Sequence, residues 1–146
     1  MLAQASEQLI ARSKRILIID DDRAILRVLS RVLSRKGYLV ATSETGKEAL
    51  EKLETISYDA ATIDVRLPDM EGTDLLSYMQ KAMPSMVRII FTGLPLIENS
   101  CAPVKERADA FLSKPVRPKI LLSILEEKLA RKSSTNCSCL VNSNKT

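Results

Sequence analysis

Residues Arg15–Leu26 read RILIIDDDRAIL, and this stretch decides the fold. The apolar run Ile16 to Ile19 is too short for a helix and mostly β-branched, which predicts a strand buried on both faces. Three carboxylates follow at once, Asp20, Asp21 and Asp22. Two carboxylates about 4 Å apart repel by about 4 kcal/mol at an effective dielectric of about 20. Acids crowded at the end of a buried strand either point apart into water or share a cation.

The rest of the chain repeats this opening rhythm. After the acids, Ile25, Leu26, Leu29, Val32 and Leu33 recur at helical spacing, and Gly37 supplies the stop. YLVAT (Tyr38 to Thr42) predicts a second strand. Thr45 and Glu48 form a capping box before a short helix carrying Ala49, Leu50 and Leu53. AATI (Ala60 to Ile63) predicts a third strand that ends at Asp64, and Leu75, Leu76 and Met79 a third helix closed by Pro84. VRIIF (Val87 to Phe91) predicts a fourth strand running into Thr92 and Gly93. The stretch Leu94 to Arg107 is a poor helix because Pro95 and Pro103 punctuate it. AFL (Ala110 to Leu112) predicts a fifth strand, and Pro118 opens a last helix carrying Ile120, Leu121, Ile124, Leu125 and Leu129. Such alternation defines an α/β fold, a five-stranded parallel sheet with helices on both faces. Residues 1–13 are expected to be an N-terminal extension, 14–131 the domain, and 132–146 a mobile polar tail without periodicity.

Bulk composition narrows the function. The chain has 146 residues, 45% hydrophobic and 27% charged, as expected of one globular domain. A net charge of +4 is no dense basic stripe, so a nucleic-acid binder is not expected. No apolar run is long enough for a membrane span, and the opening MLAQASEQLIARSKR lacks the apolar centre of a signal peptide, which predicts a cytoplasmic protein. Three cysteines, Cys101, Cys137 and Cys139, make a poor disulfide framework. The chain has no histidine, which excludes His-built zinc sites, Ser-His-Asp triads and any internal phosphohistidine.

In open α/β sheets, ligands bind beyond the carboxyl ends of the strands. There the pattern gathers Asp20 and Asp21 after the first strand, Asp64 after the third, Thr92 and Gly93 after the fourth, and Ser113-Lys114-Pro115 after the fifth. The acids are placed to share a cation. Hard oxygen donors without histidine or thiolate favour Mg²⁺. One lysine and one hydroxyl beside them suit a phosphoryl group, and a carboxylate can itself be the nucleophile. Taken singly, each residue has a plainer reading: a solvated acid or lysine, a β-branched strand residue, a core aromatic. Only the constellation points to chemistry.

IIDDD, IDVRLPDMEG, IIFTG and FLSKPV, in that order, resemble the receiver domain of two-component response regulators over about Lys14 to Ala130. The resemblance implies a doubly wound, flavodoxin-like sheet of strand order 2-1-3-4-5. It implies Asp64 as phosphoacceptor. Mg²⁺ would be held by Asp20, Asp21, Asp64 and the backbone carbonyl of Arg66. Lys114 would bind a phosphoryl oxygen, Thr92 would move toward the phosphoryl group, and Phe111 would be the aromatic switch. Gly93 matches a small position, and Pro115 follows the lysine through a peptide bond that is usually cis in the family. Arg66 and Leu94 flank the pocket and would shape water access. The phosphodonor would be a histidine kinase or a histidine phosphotransfer protein, and the protein a signalling switch, not an enzyme with an external substrate.

Some positions depart from the family pattern. Arg107-Ala108 stands where Gly-Ala is common, and Pro103 falls in the helix expected before the fifth strand, on the face that signals phosphorylation. Phe111 lacks the hydroxyl of the commoner Tyr, so its switch would work by packing alone. Asp22 stands where Glu is frequent and is read as a helix cap. These departures keep a phosphorylation-independent docking module open as a second reading. A third is a haloacid-dehalogenase-like phosphatase with Asp20 as nucleophile, although no acidic motif follows Lys114 and Asp64 would have no role. The tail is too short for a helix-turn-helix, which predicts output through an unknown protein partner, with no direct DNA binding and no membrane insertion.

Overall fold

The structure, a computed structural model, describes residues 14–93 and 108–145, with the side chains of 132–145 excepted. Pro95, Cys101, Pro103, Arg107 and Leu94 therefore lie outside the described residues, as do the side chains of Cys137 and Cys139. The elements run β1 (Arg15–Ile19), α1 (Arg23–Arg35), β2 (Leu39–Ser43), α2 (Gly46–Thr55), β3 (Ala60–Asp64), α3 (Gly72–Ala82), β4 (Val87–Thr92), β5 (Ala110–Ser113) and α4 (Pro118–Lys145). All strand pairs are parallel, and the sheet order is β2-β1-β3-β4-β5.

The apolar runs explain this layering. Ile16 and Ile18 of β1 pack with Leu26, Leu29 and Leu33 of α1 and Leu121, Leu125 and Leu129 of α4. Leu17 and Ile19 pack on the other face with Leu53 of α2 and Leu75, Leu76 and Met79 of α3. A strand residue changes face at every step, so a strand covered on both sides is mostly apolar. β1 carries no polar residue from Ile16 to Ile19, all fully buried.

Local signals set the element ends. Asp22 caps α1, its Oδ1 accepting from the amides of Ala24 (2.9 Å) and Ile25 (3.4 Å). Beyond α1, Gly37 takes φ 99°, the left-handed region that glycine adopts without a Cβ penalty. Half of the expected capping box forms. Thr45 Oγ1 accepts from the amide of Glu48 (3.1 Å), but the Glu48 carboxylate turns to Lys52 Nζ (3.1 Å), one helical turn on.

Among the described side chains, those of α4 that reach the core run to Leu129, and its helical backbone continues to Lys145. The continuation RKSSTNCSCLVNSNK holds neither proline nor glycine, so no residue there stops a helix. β2 begins one residue later than the sequence pattern suggests, at Leu39, while Tyr38 packs into the core.

Candidate functional site

Strand register brings the expected residues to one edge. Ile19 pairs with Ile63, Asp64 with Phe91, and Thr92 with Ser113, so Asp20, Asp64, Thr92 and Lys114 leave neighbouring strands at the same level. Backbone bonds carry the ladder past the strand ends: the amide of Asp20 donates to the Ser43 carbonyl (3.0 Å), that of Val65 to Phe91 (3.0 Å), and that of Lys114 to Thr92 (2.7 Å).

Asp20 is fully buried, Asp64 and Thr92 are 6% exposed, and Asp21 is exposed. Carboxylate oxygens of Asp20, Asp21 and Asp64 lie within 4.8 Å of one another. Lys114 Nζ sits 3.0 Å from Asp20 Oδ2 and 3.2 Å from Asp64 Oδ2, one ammonium spanning two acids. The ammonium thus ion-pairs the fully buried Asp20 Oδ2 as well as Asp64. The other oxygens are braced by backbone: Asp20 Oδ1 accepts from the Asp22 amide (2.9 Å), and Asp64 Oδ1 from the Arg66 amide (3.3 Å).

The electrostatics follow from this packing. Burial pushes the Asp20 carboxyl above its ordinary range, the Asp22 amide and Lys114 pull it back, and the neighbouring Asp64 charge pushes it up again. For Lys114, burial pulls the ammonium down, but Asp20 and Asp64 together outweigh it and raise it. Two buried acids with one lysine leave negative charge in excess. The donor set is all hard oxygen. These residues fit a divalent cation of the Mg²⁺ kind.

The remaining expected residues fall around this centre. The Arg66 side chain is exposed while its peptide amide rests against Asp64. Among the described residues, a Cβ added to Gly93 would meet nothing within 4 Å. Phe111 is half-buried and packs with the apolar cluster of α2 and α3. The Lys114–Pro115 peptide is cis. Gly72 allows the return of the β3–α3 loop, because a Cβ there would collide with the Asp64 carbonyl.

Sequence reasoning passed over Asp69. Its Oδ1 accepts from the Gly46 amide (2.8 Å) and its Oδ2 from the Lys47 amide (2.9 Å), which pull its carboxyl below the ordinary range. The available signal was Leu67-Pro68-Asp69, a turn-forming run, opposite a helix start that needs acceptors.

A doubly wound parallel sheet with an acidic cluster and a lysine at its carboxyl edge defines the class of flavodoxin-like receivers. The sequence model described as response regulator receiver domain matches residues 16–126, and the chain belongs to that family, whose members are signalling switches more than classical enzymes. It is 33% identical over 114 residues to the transcriptional regulatory protein GlrR of Escherichia coli, spanning 78% of this chain and 26% of that protein. It is 34% identical over 119 residues to the response regulator MprA of Mycobacterium ulcerans, spanning 82% and 48%. The chain thus covers between about a quarter and a half of these relatives. Among solved structures, a CheY-like receiver domain from Methanospirillum hungatei superposes with TM-score 0.78 at 43% identity, covering 84% of this chain and 98% of that one. A response regulator from Burkholderia pseudomallei, solved with a phosphorylated aspartic acid, a calcium ion and citrate, gives TM-score 0.71 at 27% identity over 84% and 72%. Family membership replaces the dehalogenase-like phosphatase reading. Among the described residues, no helix is long and apolar enough to cross a membrane.

Proposed function

We propose that this receiver accepts a phosphoryl group on Asp64, with Mg²⁺ held by Asp20, Asp21, Asp64 and the backbone carbonyl of Arg66. The observation that carries the reading is the cluster of Asp20, Asp21 and Asp64 carboxylate oxygens within 4.8 Å of one another, with one ammonium shared by Asp20 and Asp64. Carboxylates this close repel unless a cation offsets them. The aspartyl phosphate and calcium ion of the Burkholderia pseudomallei relative support the same assignment by likeness.

When bound, Mg²⁺ supplies positive charge that offsets the phosphoryl oxygens and the carboxylates that face them. The residues do the rest. An Asp64 oxygen attacks the phosphorus of a donor phosphohistidine, the donor N–P bond breaks, and the released imidazole nitrogen keeps the electron pair and takes up a proton. Lys114, already 3.2 Å from Asp64 Oδ2, then pairs with a phosphoryl oxygen. The Thr92 hydroxyl donates to another, and Phe111 repacks behind it. The phosphohistidine lies outside these 146 residues, which hold no histidine, and belongs to a histidine kinase or a histidine phosphotransfer protein. The output is read by a protein partner on the face of β5 and α4.

The test is to incubate the protein with acetyl phosphate and Mg²⁺ and weigh it intact. The expected result is a gain of one phosphoryl mass that needs Mg²⁺ and is absent in Asp64→Asn. No gain, or a gain that survives Asp64→Asn, refutes the proposal.

A further inference from the structure

The β3–α3 loop, residues 65–71, is a short doubled-back segment tied at three levels. At its base the Gly72 amide donates to the Val65 carbonyl (2.6 Å). Midway Arg66 and Glu71 form an antiparallel bridge, and the Leu67 amide donates to the Met70 carbonyl (3.2 Å). At its tip Asp69 reaches across to a different element and takes the first two amides of α2, those of Gly46 and Lys47. Met70 packs beside Gly46 so closely that an added Cβ would collide with its Cγ and Sδ.

This tip contact completes the amino end of α2. A helix leaves its first amides without intrahelical partners. Here Thr45 Oγ1 takes the Glu48 amide from within the local chain, and Asp69 takes the Gly46 and Lys47 amides from 23 and 22 residues away. Local capping and tertiary capping are therefore carried by different residues, and each can be removed without the other.

The same loop carries half of the cation site. Its first turn holds Asp64 Oδ1 against the Arg66 amide at 3.3 Å, and the Arg66 carbonyl belongs to the strand of the loop that leads to Asp69. Base and middle ties fix the loop's shape, Val65, Leu67 and Met70 pack it on the core, and Asp69 adds the side-chain hydrogen bonds that tie its tip to α2. Groups that orient ligands from behind commonly control metal affinity.

We propose that Asp69 is a positioning residue of the cation site: by gripping the Gly46 and Lys47 amides it holds the β3–α3 loop at the tilt that keeps the Arg66 carbonyl and the Asp64 carboxylate at ligand spacing. This rests on the reading of Asp20, Asp21, Asp64 and Arg66 as the Mg²⁺ site. Three variants separate the effects. Asp69→Ala removes both tip hydrogen bonds. Gly46→Ala leaves Asp69 in place but drives Met70 off the tip, while otherwise favouring the helix. Thr45→Ala weakens the same helix end without touching the loop.

The experiment follows amide shifts of Asp22 and Lys114 in ¹⁵N-labelled protein during Mg²⁺ titration, together with amide exchange at Leu67 and Gly72 and the melting temperature. In Asp69→Ala the Mg²⁺ dissociation constant should rise about tenfold, with faster exchange at Leu67 and Gly72. Gly46→Ala should move both in the same direction. Thr45→Ala should lower the melting temperature and leave Mg²⁺ affinity within twofold of wild type. Unchanged Mg²⁺ affinity in Asp69→Ala overturns the inference, even if that variant melts earlier. So does an equal loss in Thr45→Ala, which would make helix stability the cause. Absence of Mg²⁺ binding by the wild type overturns the proposed function itself, and the inference with it, and is told apart because no variant is then needed to see it.

Discussion

The two edges of the sheet treat charge in opposite ways. At the amino edge each acid is closed by backbone. Asp59 Oδ2 accepts from the Arg15 amide (2.7 Å) and Asp109 Oδ2 from the Arg88 amide (2.8 Å), while the buried Arg88 guanidinium reaches the Met83 carbonyl (3.3 Å). Those carboxylates stitch loops to strands. At the carboxyl edge Asp20 and Asp64 share one lysine, and Asp21 adds a third carboxylate within 4.8 Å. The difference teaches where ligands go: an edge whose charges are already matched is architecture, and an edge whose charges await a partner is a site.

The comparison breaks most visibly at Asp20. Its folded-state pKa is raised, with burial the first cause, so the fold favours the uncharged form. The stability this group contributes is fully present below its unfolded value and is lost as pH rises through the folded value. The ionised form of Asp20 therefore contributes less to the fold than the neutral form does. Asp20→Asn should melt at the wild-type temperature or above it while losing tenfold or more in Mg²⁺ affinity, as titration and thermal melts would show. A variant that melts well below wild type would place Asp20 with the structural acids.

The mirror experiment is Asp109→Ala. It strips the acceptor from the Arg88 amide at the amino end of β4, at a cost of about 1–3 kcal/mol, measurable by denaturant unfolding. Phosphoryl uptake from acetyl phosphate should persist in the folded fraction. Loss of uptake without loss of stability would erase the distinction between the edges.

Asp69 sharpens the contrast, being a closed acid on the open side. Its lowered pKa, set first by the Gly46 amide and then by that of Lys47, gives stability that is present above the unfolded value of about 3.9 and is lost as pH falls through the lower folded value. The melting-temperature gap between wild type and Asp69→Ala should be full at neutral pH and shrink in acid. A gap independent of pH would mean that its charge is idle.

The smallest effect lies at the amino edge. Tyr38 has its hydroxyl pKa raised, first by burial and then by Glu126. The stability it contributes holds below the unfolded value of about 10 and falls as pH rises through the folded one. Tyr38→Phe should blunt the alkaline loss of stability, and identical alkaline melts for both proteins would contradict the burial argument.

The sheet and its site were legible because both obey short periods. Short, mostly apolar runs of four or five residues marked β1, β3 and β4, and each named the residue that follows it at the edge: Asp20, Asp64, Thr92. Parallel register then does what the sequence implies, since Ile63 pairs with Ile19 and Asp64 with Phe91. What escaped was non-local or lacked a stop. The Asp69 grip on α2 spans 23 residues and leaves no periodic trace. The capping box half-formed because Lys52 competes for Glu48. The extent of α4 could not be read from its apolar spacing, because RKSSTNCSCLVNSNK holds neither proline nor glycine to mark a stop.

The most direct test of the central claim is a Mg²⁺ titration of ¹⁵N-labelled protein that reads the amides of both edges at once. Asp20, Asp21, Asp22, Asp64, Arg66 and Lys114 should shift together along one saturating curve, while Arg15, Asp59, Arg88 and Asp109 stay still. Shifts that never saturate at the carboxyl edge, or that are equal at both edges, would contradict a cation site built from Asp20, Asp21 and Asp64.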